Sequence, residues 1–259
     1  MVPRDDATPG PLHAVSTGAG TRLALVHGFT QTGRSWRPLA ELLGERHEVV
    51  TVDLPYHGRS AATAVGSLEA AAAALGATCG RSVYVGYSLG GRVCLALALA
   101  EPERVERLVL VSASPGLATA EERSARRAAD EALAARLEAG GLEPFLEAWL
   151  AGPLFAHLDD GAADLASRRE NDPAALASAL RVLGTGSQPS WWDRLGELEM
   201  PVLVCAGRLD AKFVAIGERM AAAIGPNATL SVVEGAGHAV PFEQPAAFAA
   251  LVEAFAAAP

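Results

Sequence analysis

"VYVGYSLGGRV", residues 83–93, decides the fold. Val83–Gly86 is a short apolar run of the kind that forms a buried strand, and "GYSLG" is a Gly-x-Ser-x-Gly turn. In such a turn a strand swings directly into a helix, which needs small residues on either side of the serine, here Gly86 and Gly90. The turn lifts the Ser88 hydroxyl above the sheet and points the Leu89 N–H at whatever binds beside it. A glycine-rich strand-to-helix turn without chemistry has the same local pattern, so the partners of Ser88 must decide. Arg92, four residues on, adds a fixed positive charge in the first turn of the helix. A helix N-terminus already carries positive partial charge, so an arginine there is unfavourable unless it meets an anion.

Outward from this stretch, "RLALVHG" (22–28), "EVVTVD" (48–53), "SVYVGYS" (82–88), "RLVLVSA" (107–113), "PVLVCAG" (201–207) and "TLSVVEG" (229–235) read as strands. Their nearly continuous apolar character is that of strands covered on both faces. "LHAVSTG" (12–18) adds an antiparallel edge strand. Helical patterns at 34–44, 67–77, 89–100, 213–224 and 245–257 alternate with the strands, which predicts a mostly parallel sheet with helices on both faces. Between about 115 and 195 the alternation stops. Helical patterns around 119–139, 142–151, 160–170 and 173–184 fill that stretch. They predict a helical lid, inserted after the sixth predicted strand, over the sheet edge where open α/β sheets bind ligands. The expected organisation is 1–114 core, 115–195 lid and 196–259 core.

The chain has 259 residues, half of them hydrophobic and a fifth charged, enough for a full buried core. Its formal net charge of −9 argues against nucleic acid or an anionic membrane surface as partner. It also means that an anionic substrate must be drawn in by local cations. Lys212 is the sole lysine, so nearly all positive charge is arginine. Cys79, Cys94 and Cys205 lie in or beside apolar runs without metal or redox spacing, as buried thiols of a reducing compartment do. The N-terminal "MVPRDDATPGP" has no apolar signal core, and the longest apolar run, "VCLALALA" (93–100), is too short to span a bilayer. A cytoplasmic location follows as the expectation, and the cysteines give no sign of a metal site.

A serine hydroxyl reacts only when a base takes its proton. His238 in "GAGHAVPFEQP" follows the last strand, and Asp210 in "CAGRLDAKF" follows the one before. The carboxylate would orient the imidazole and stabilise its protonated form. The chain order Ser88, Asp210, His238, each ending a different strand at one sheet edge, is that of a triad on this architecture. "LVHGFTQTG" (25–33) places the Phe29 N–H after the first long strand, where it can join the Leu89 N–H in an oxyanion hole. His27 and His57 read as loop-structuring.

Through "HGFTQTGRSW", "DLPYHGRS", "GYSLGG", "GRLDAKF" and "GAGHAVPFEQP" the chain resembles the α/β-hydrolase fold. The lid stretches "SPGLATAEERSARRAADEALA", "WLAGPLF" and "RRENDPAALASALRVLGTGSQPSWWDRL" resemble one branch, 2-succinyl-6-hydroxy-2,4-cyclohexadiene-1-carboxylate synthase of menaquinone biosynthesis. That resemblance implies a lyase that eliminates pyruvate, with Ser88 as an activated base rather than an acyl acceptor. It implies a small tricarboxylate substrate held by Tyr87, Arg92, Arg126, Trp149 and Arg169. Planar guanidinium groups suit carboxylates. Arg123, Arg127 and Arg168 stand nearby as further lid charges. Family members carry a second histidine three positions after the catalytic one, where this chain has Pro241. Two other readings use the same residues: a serine hydrolase (carboxylesterase, lactonase or C–C hydrolase) acting on an anionic molecule, and a non-enzymatic ligand binder.

Overall fold

The computed structural model describes residues 10–159 and 161–258. Seven strands form its sheet: β1 (Ala14–Gly18), β2 (Thr21–Val26), β3 (His47–Val52), β4 (Ser82–Tyr87), β5 (Val105–Val111), β6 (Val202–Gly207) and β7 (Ala228–Val233). They lie in the order β1-β3-β2-β4-β5-β6-β7. All neighbours are parallel except β1, which runs antiparallel to β3 at one edge. The central strands β4 and β6 are buried along their whole length, whereas the edge strand β7 is only partly covered. This is why the central runs read as continuously apolar.

Alternate residues of each strand enter opposite cores. Ala24, Val26, Tyr84, Leu108 and Val204 face one cluster, and Leu23, Leu25, Val83, Val109 and Leu203 face the other. The covering helices include α1 (Arg37–Leu43), α2 (Leu68–Cys79) and α3 (Leu89–Ala100). Between β5 and β6 stand α4 (Ala120–Gly140), α5 (Leu142–Leu150), α6 (Leu165–Arg168) and α7 (Pro173–Leu183). After β6 come α8 (Ala211–Ile224), α9 (Val240–Glu243) and α10 (Pro245–Ala257). Helix α4 starts at a capping box, in which Thr119 and Glu122 satisfy each other's backbone amides. Helices α4, α5 and α7 have a small core of their own, built from Ala134, Leu137, Phe145, Leu176, Ala177 and Leu180.

Two expectations need correction. The helical segment follows β5, the fifth strand, not a sixth. The chain leaves the sheet at Val111 and returns as β6 directly alongside β5, so no further strand intervenes. The helix expected around 160–170 shrinks to the four residues Leu165–Arg168, because Asp164 takes a left-handed conformation (φ 48°) that starts it late. The N-terminal stretch read for signal character lies largely outside the described residues. Among those described, no helix is long and apolar enough to cross a membrane. All three cysteines are free and buried.

Candidate active site

Ser88 caps α3 with φ 51° and ψ −109°, a backbone geometry unfavourable for any residue with a side chain. The elbow closes because its flanks lack side chains. A Cβ on Gly86 would stand 2.5 Å from the Gly90 carbonyl, and one on Gly90 would stand 2.1 Å from that of Val26. The Ser88 N–H donates to the Val111 carbonyl (2.9 Å), fixing the elbow to β5.

His238 is 2 % exposed and lies between two partners. Its Nδ1–H donates to Asp210 Oδ2 at 2.8 Å, and its Nε2 accepts from Ser88 Oγ at 3.3 Å. The rings of Tyr87 and Phe213 pack on the imidazole at 5.6 and 4.7 Å between centroids. Burial pushes the Asp210 carboxyl upward, but the hydrogen bond and charge of His238, with the Phe213 amide and Lys212, outweigh it. The carboxyl ends below its ordinary range. The Phe213 N–H bond (3.2 Å) also makes Asp210 the cap of α8, so one residue starts a helix and orients the imidazole.

Above Ser88 lies a cavity lined by Phe29, Leu89, Arg92, Arg126 and Trp149. Arg92 sits on a helix whose residues 89–98 are all buried, and is itself 9 % exposed, so it is no solvated helix charge. Burial, and then the neighbouring Arg126, pull its pKa down to about 10 against the opposing charge of Asp130. It remains a cation at neutral pH. Arg126 is part-exposed, and its Nε donates to Asp130 Oδ1 at 2.8 Å. The buried indole nitrogen of Trp149 has no hydrogen-bond partner among the described residues. Tyr87 is buried against His238 and Phe242, beside the cavity rather than lining it.

Arg169 does not join them. It lies on the surface in a two-bond pair with Glu143 (2.8 and 3.0 Å). Its neighbour Arg168 is the inward one, 2 % exposed, donating to the Ala163 carbonyl at 2.6 Å and to Thr30 Oγ1. The reason is phase: Arg169, the C-cap of α6, keeps right-handed helical backbone, so its side chain stands about 100° around the helix from that of Arg168. Arg168 belongs to a set of bonds that hold the loop after β2. Asn171 Nδ2 donates to the Thr30 carbonyl (2.7 Å), and the Ser167 and Thr32 hydroxyls meet at 2.6 Å. The loop bearing Phe29 is thus fixed by the helical segment as well as by the core.

His27 and His57 stand beneath this loop. His27 Nε2 accepts from the Leu54 N–H (3.0 Å), which puts its proton on Nδ1 toward the Gly28 carbonyl (2.8 Å). Burial lowers their pKa values to about 4 and about 3, so both are neutral at pH 7. Among the described residues, no group of three His, Cys, Asp or Glu side chains is placed to hold a metal ion.

The sequence pattern of the alpha/beta hydrolase family matches residues 23–251. The chain belongs to this family. A Serratia proteamaculans (strain 568) 2-succinyl-6-hydroxy-2,4-cyclohexadiene-1-carboxylate synthase is 33 % identical, covering 90 % of this chain and 92 % of its own. A Bacillus subtilis (strain 168) protein, provisionally named as the same synthase, is 34 % identical, covering 92 % of this chain and 90 % of its own. Among solved structures, MenH from S. aureus superposes with a TM-score of 0.88 at 30 % identity, covering 94 % of this chain and 97 % of that one. The chain therefore falls in the synthase branch of the hydrolase family.

For a member of this family, the residues missed in the sequence are a further cation of the cavity, Lys212, and the partners of its arginines. Asp130 and Lys212 line the cavity, and Gln188 bonds Arg92. Asp130 had a readable signal, since it stands four residues after Arg126 on one helix. Gln188 had none, because 96 positions separate it from Arg92. As built, the site can pass a proton along Ser88 and His238 beside a cluster of fixed positive charge.

Proposed function

We propose that this protein removes pyruvate from 2-succinyl-5-enolpyruvyl-6-hydroxy-3-cyclohexene-1-carboxylate to give 2-succinyl-6-hydroxy-2,4-cyclohexadiene-1-carboxylate, a step of menaquinone biosynthesis. The observation that carries the reading is Arg92, a buried arginine one helical turn beyond an activated serine, on the scaffold shared with the synthases. An acyl-transfer site does not require such a charge, whereas a substrate with three carboxylates does.

In the proposed reaction Ser88 passes its proton to His238 Nε2 and takes the ring proton at C2, α to the succinyl ketone. The C2–H electrons form C2=C3, the C3=C4 pair moves to C4=C5, and the C5–O bond breaks. His238 returns its proton to the departing oxygen, and the enol released becomes pyruvate. Asp210 stabilises the imidazolium between these transfers. We assign the Phe29 and Leu89 amides to the enolate oxygen that develops on the ketone; donors in such positions are worth about 3 kcal/mol each. Arg92 and Arg126, with Trp149, form the carboxylate-binding side, and Tyr87 packs against His238 beside it. The segment 115–195 acts as the lid, and its Arg168 braces the loop that carries Phe29. No step needs a metal or organic cofactor, and the acidic chain and buried thiols suit a cytoplasmic enzyme without nucleic-acid or membrane partners.

Following pyruvate with lactate dehydrogenase tests the reading. We expect pyruvate in step with diene formation, slow or absent cleavage of simple aryl esters, and a loss of about 10³-fold or more in Ser88→Ala. Fast ester turnover without pyruvate would make the protein a hydrolase of the type seen in the Thermogutta terrifontis esterase. That enzyme is 26 % identical, with a TM-score of 0.79, covering 94 % of this chain and 92 % of its own. Unchanged ligand response in Ser88→Ala would make it a binder.

A further inference from the structure

Two arginines line one corner of the cavity, and their protein partners differ in charge. Arg126 is bonded to a carboxylate, Asp130, which is 2 % exposed. Arg92 is bonded to a neutral amide: its Nη1 donates to Gln188 Oε1 at 3.0 Å. Gln188 is 1 % exposed and is held in turn by its Nε2, which donates to the Ser114 carbonyl at 3.4 Å. Burying a guanidinium beside a neutral partner is unfavourable unless an anion completes the site. A glutamate at 188 would have the same shape and would neutralise Arg92 within the protein. Space for Asp130, by contrast, is built in: a Cβ on Gly184 would lie 2.5 Å from Asp130 Oδ2, which has no hydrogen-bond partner of its own.

We propose that Gln188 and Asp130 set the charge of this corner, the acid offsetting one of its two positive charges and the amide offsetting none, so that it takes one carboxylate group. Gln188 is then a specificity-determining residue that acts through Arg92, and Asp130 one that acts through Arg126. This rests on the reading of the substrate as a carboxylate.

Gln188→Glu and Asp130→Asn change charge by −1 and +1 with almost no change of shape. Calorimetry with succinate, using its neutral diamide as control, reads the corner directly, and KM for the enolpyruvyl substrate reads it in turnover. The expected result is opposite signs: about tenfold weaker binding and higher KM in Gln188→Glu, and several-fold tighter binding with lower KM in Asp130→Asn. The double variant restores the net charge and returns both values toward wild type, which also separates a charge effect from misfolding in either single variant. Weakening in both singles, with further loss in the double, would overturn the proposal in favour of structural roles. A wild-type protein that binds succinate no better than the diamide would also overturn it. Wild type that binds succinate with the expected variant signs but releases no pyruvate would overturn the synthase reading alone.

Discussion

Arg92 and Arg168 show what one buried guanidinium does in two settings. Arg92 faces the cavity beside Ser88, while Arg168 is directed at the loop that carries Phe29. On the proposed reading, replacing Arg92 by alanine removes a charge-assisted carboxylate contact, so KM for the anionic substrate rises about 10–100-fold, while turnover of a neutral ester changes much less. Equal losses on both substrates would mark Arg92 as structural. Arg168→Ala frees Thr30 and lowers both kcat/KM and melting temperature, whereas Arg169→Ala leaves both near wild type, because its pair with Glu143 is exposed. Kinetics and melting curves of the two variants check the contrast. At this scale the juxtaposition of Ser88, His238 and Asp210 was legible, since each follows a strand in a recognisable order. The choice between Arg168 and Arg169 was not. A helix of four residues has no periodicity from which to read a face, and the adjacent arginines present the same chemistry.

The elements divide into a sheet edge that carries Ser88, Asp210 and His238 and a helical segment with its own small core. Strand positions were legible because strands buried on both faces have few polar residues, and the helical patterns between them fitted closely. The segment after β5 was legible as helical, but its contacts were not: Asn171 to Thr30 and Ser167 to Thr32 join residues more than 130 positions apart. That segment's core predicts local fragility. Leu176→Ala removes a side chain that is 0 % exposed among Phe145, Leu137 and Leu180, and costs about 2–5 kcal/mol. Urea unfolding checks the value; a loss below 1 kcal/mol would show that the segment collapses around the change. Gly90→Ala drives a methyl group into the Val26 carbonyl and costs about 1–3 kcal/mol or more, with loss of activity as the elbow shifts.

For the whole molecule, composition revealed an acidic chain but not the cationic corner within it, because net charge carries no positions. It also did not show that His27 and His57 are buried without charge. Their pKa values in the folded protein, about 4 and about 3, lie below the unfolded value of about 6.5. Acid therefore protonates the unfolded chain first. Their contribution is complete above pH 6.5 and is lost as pH falls from 6.5 toward 4, at up to about 1.4 kcal/mol per pH unit for each histidine. Urea unfolding across that range should show a shallower slope in His57→Asn than in wild type; equal slopes would contradict the assignment. The central claim is that a hydrolase-family triad here removes a ring proton. Single-turnover release of pyruvate from substrate deuterated at C2 tests it most directly. The account predicts a primary isotope effect on pyruvate formation with Ser88 unmodified throughout, whereas no isotope effect together with an acyl group on Ser88 would contradict it.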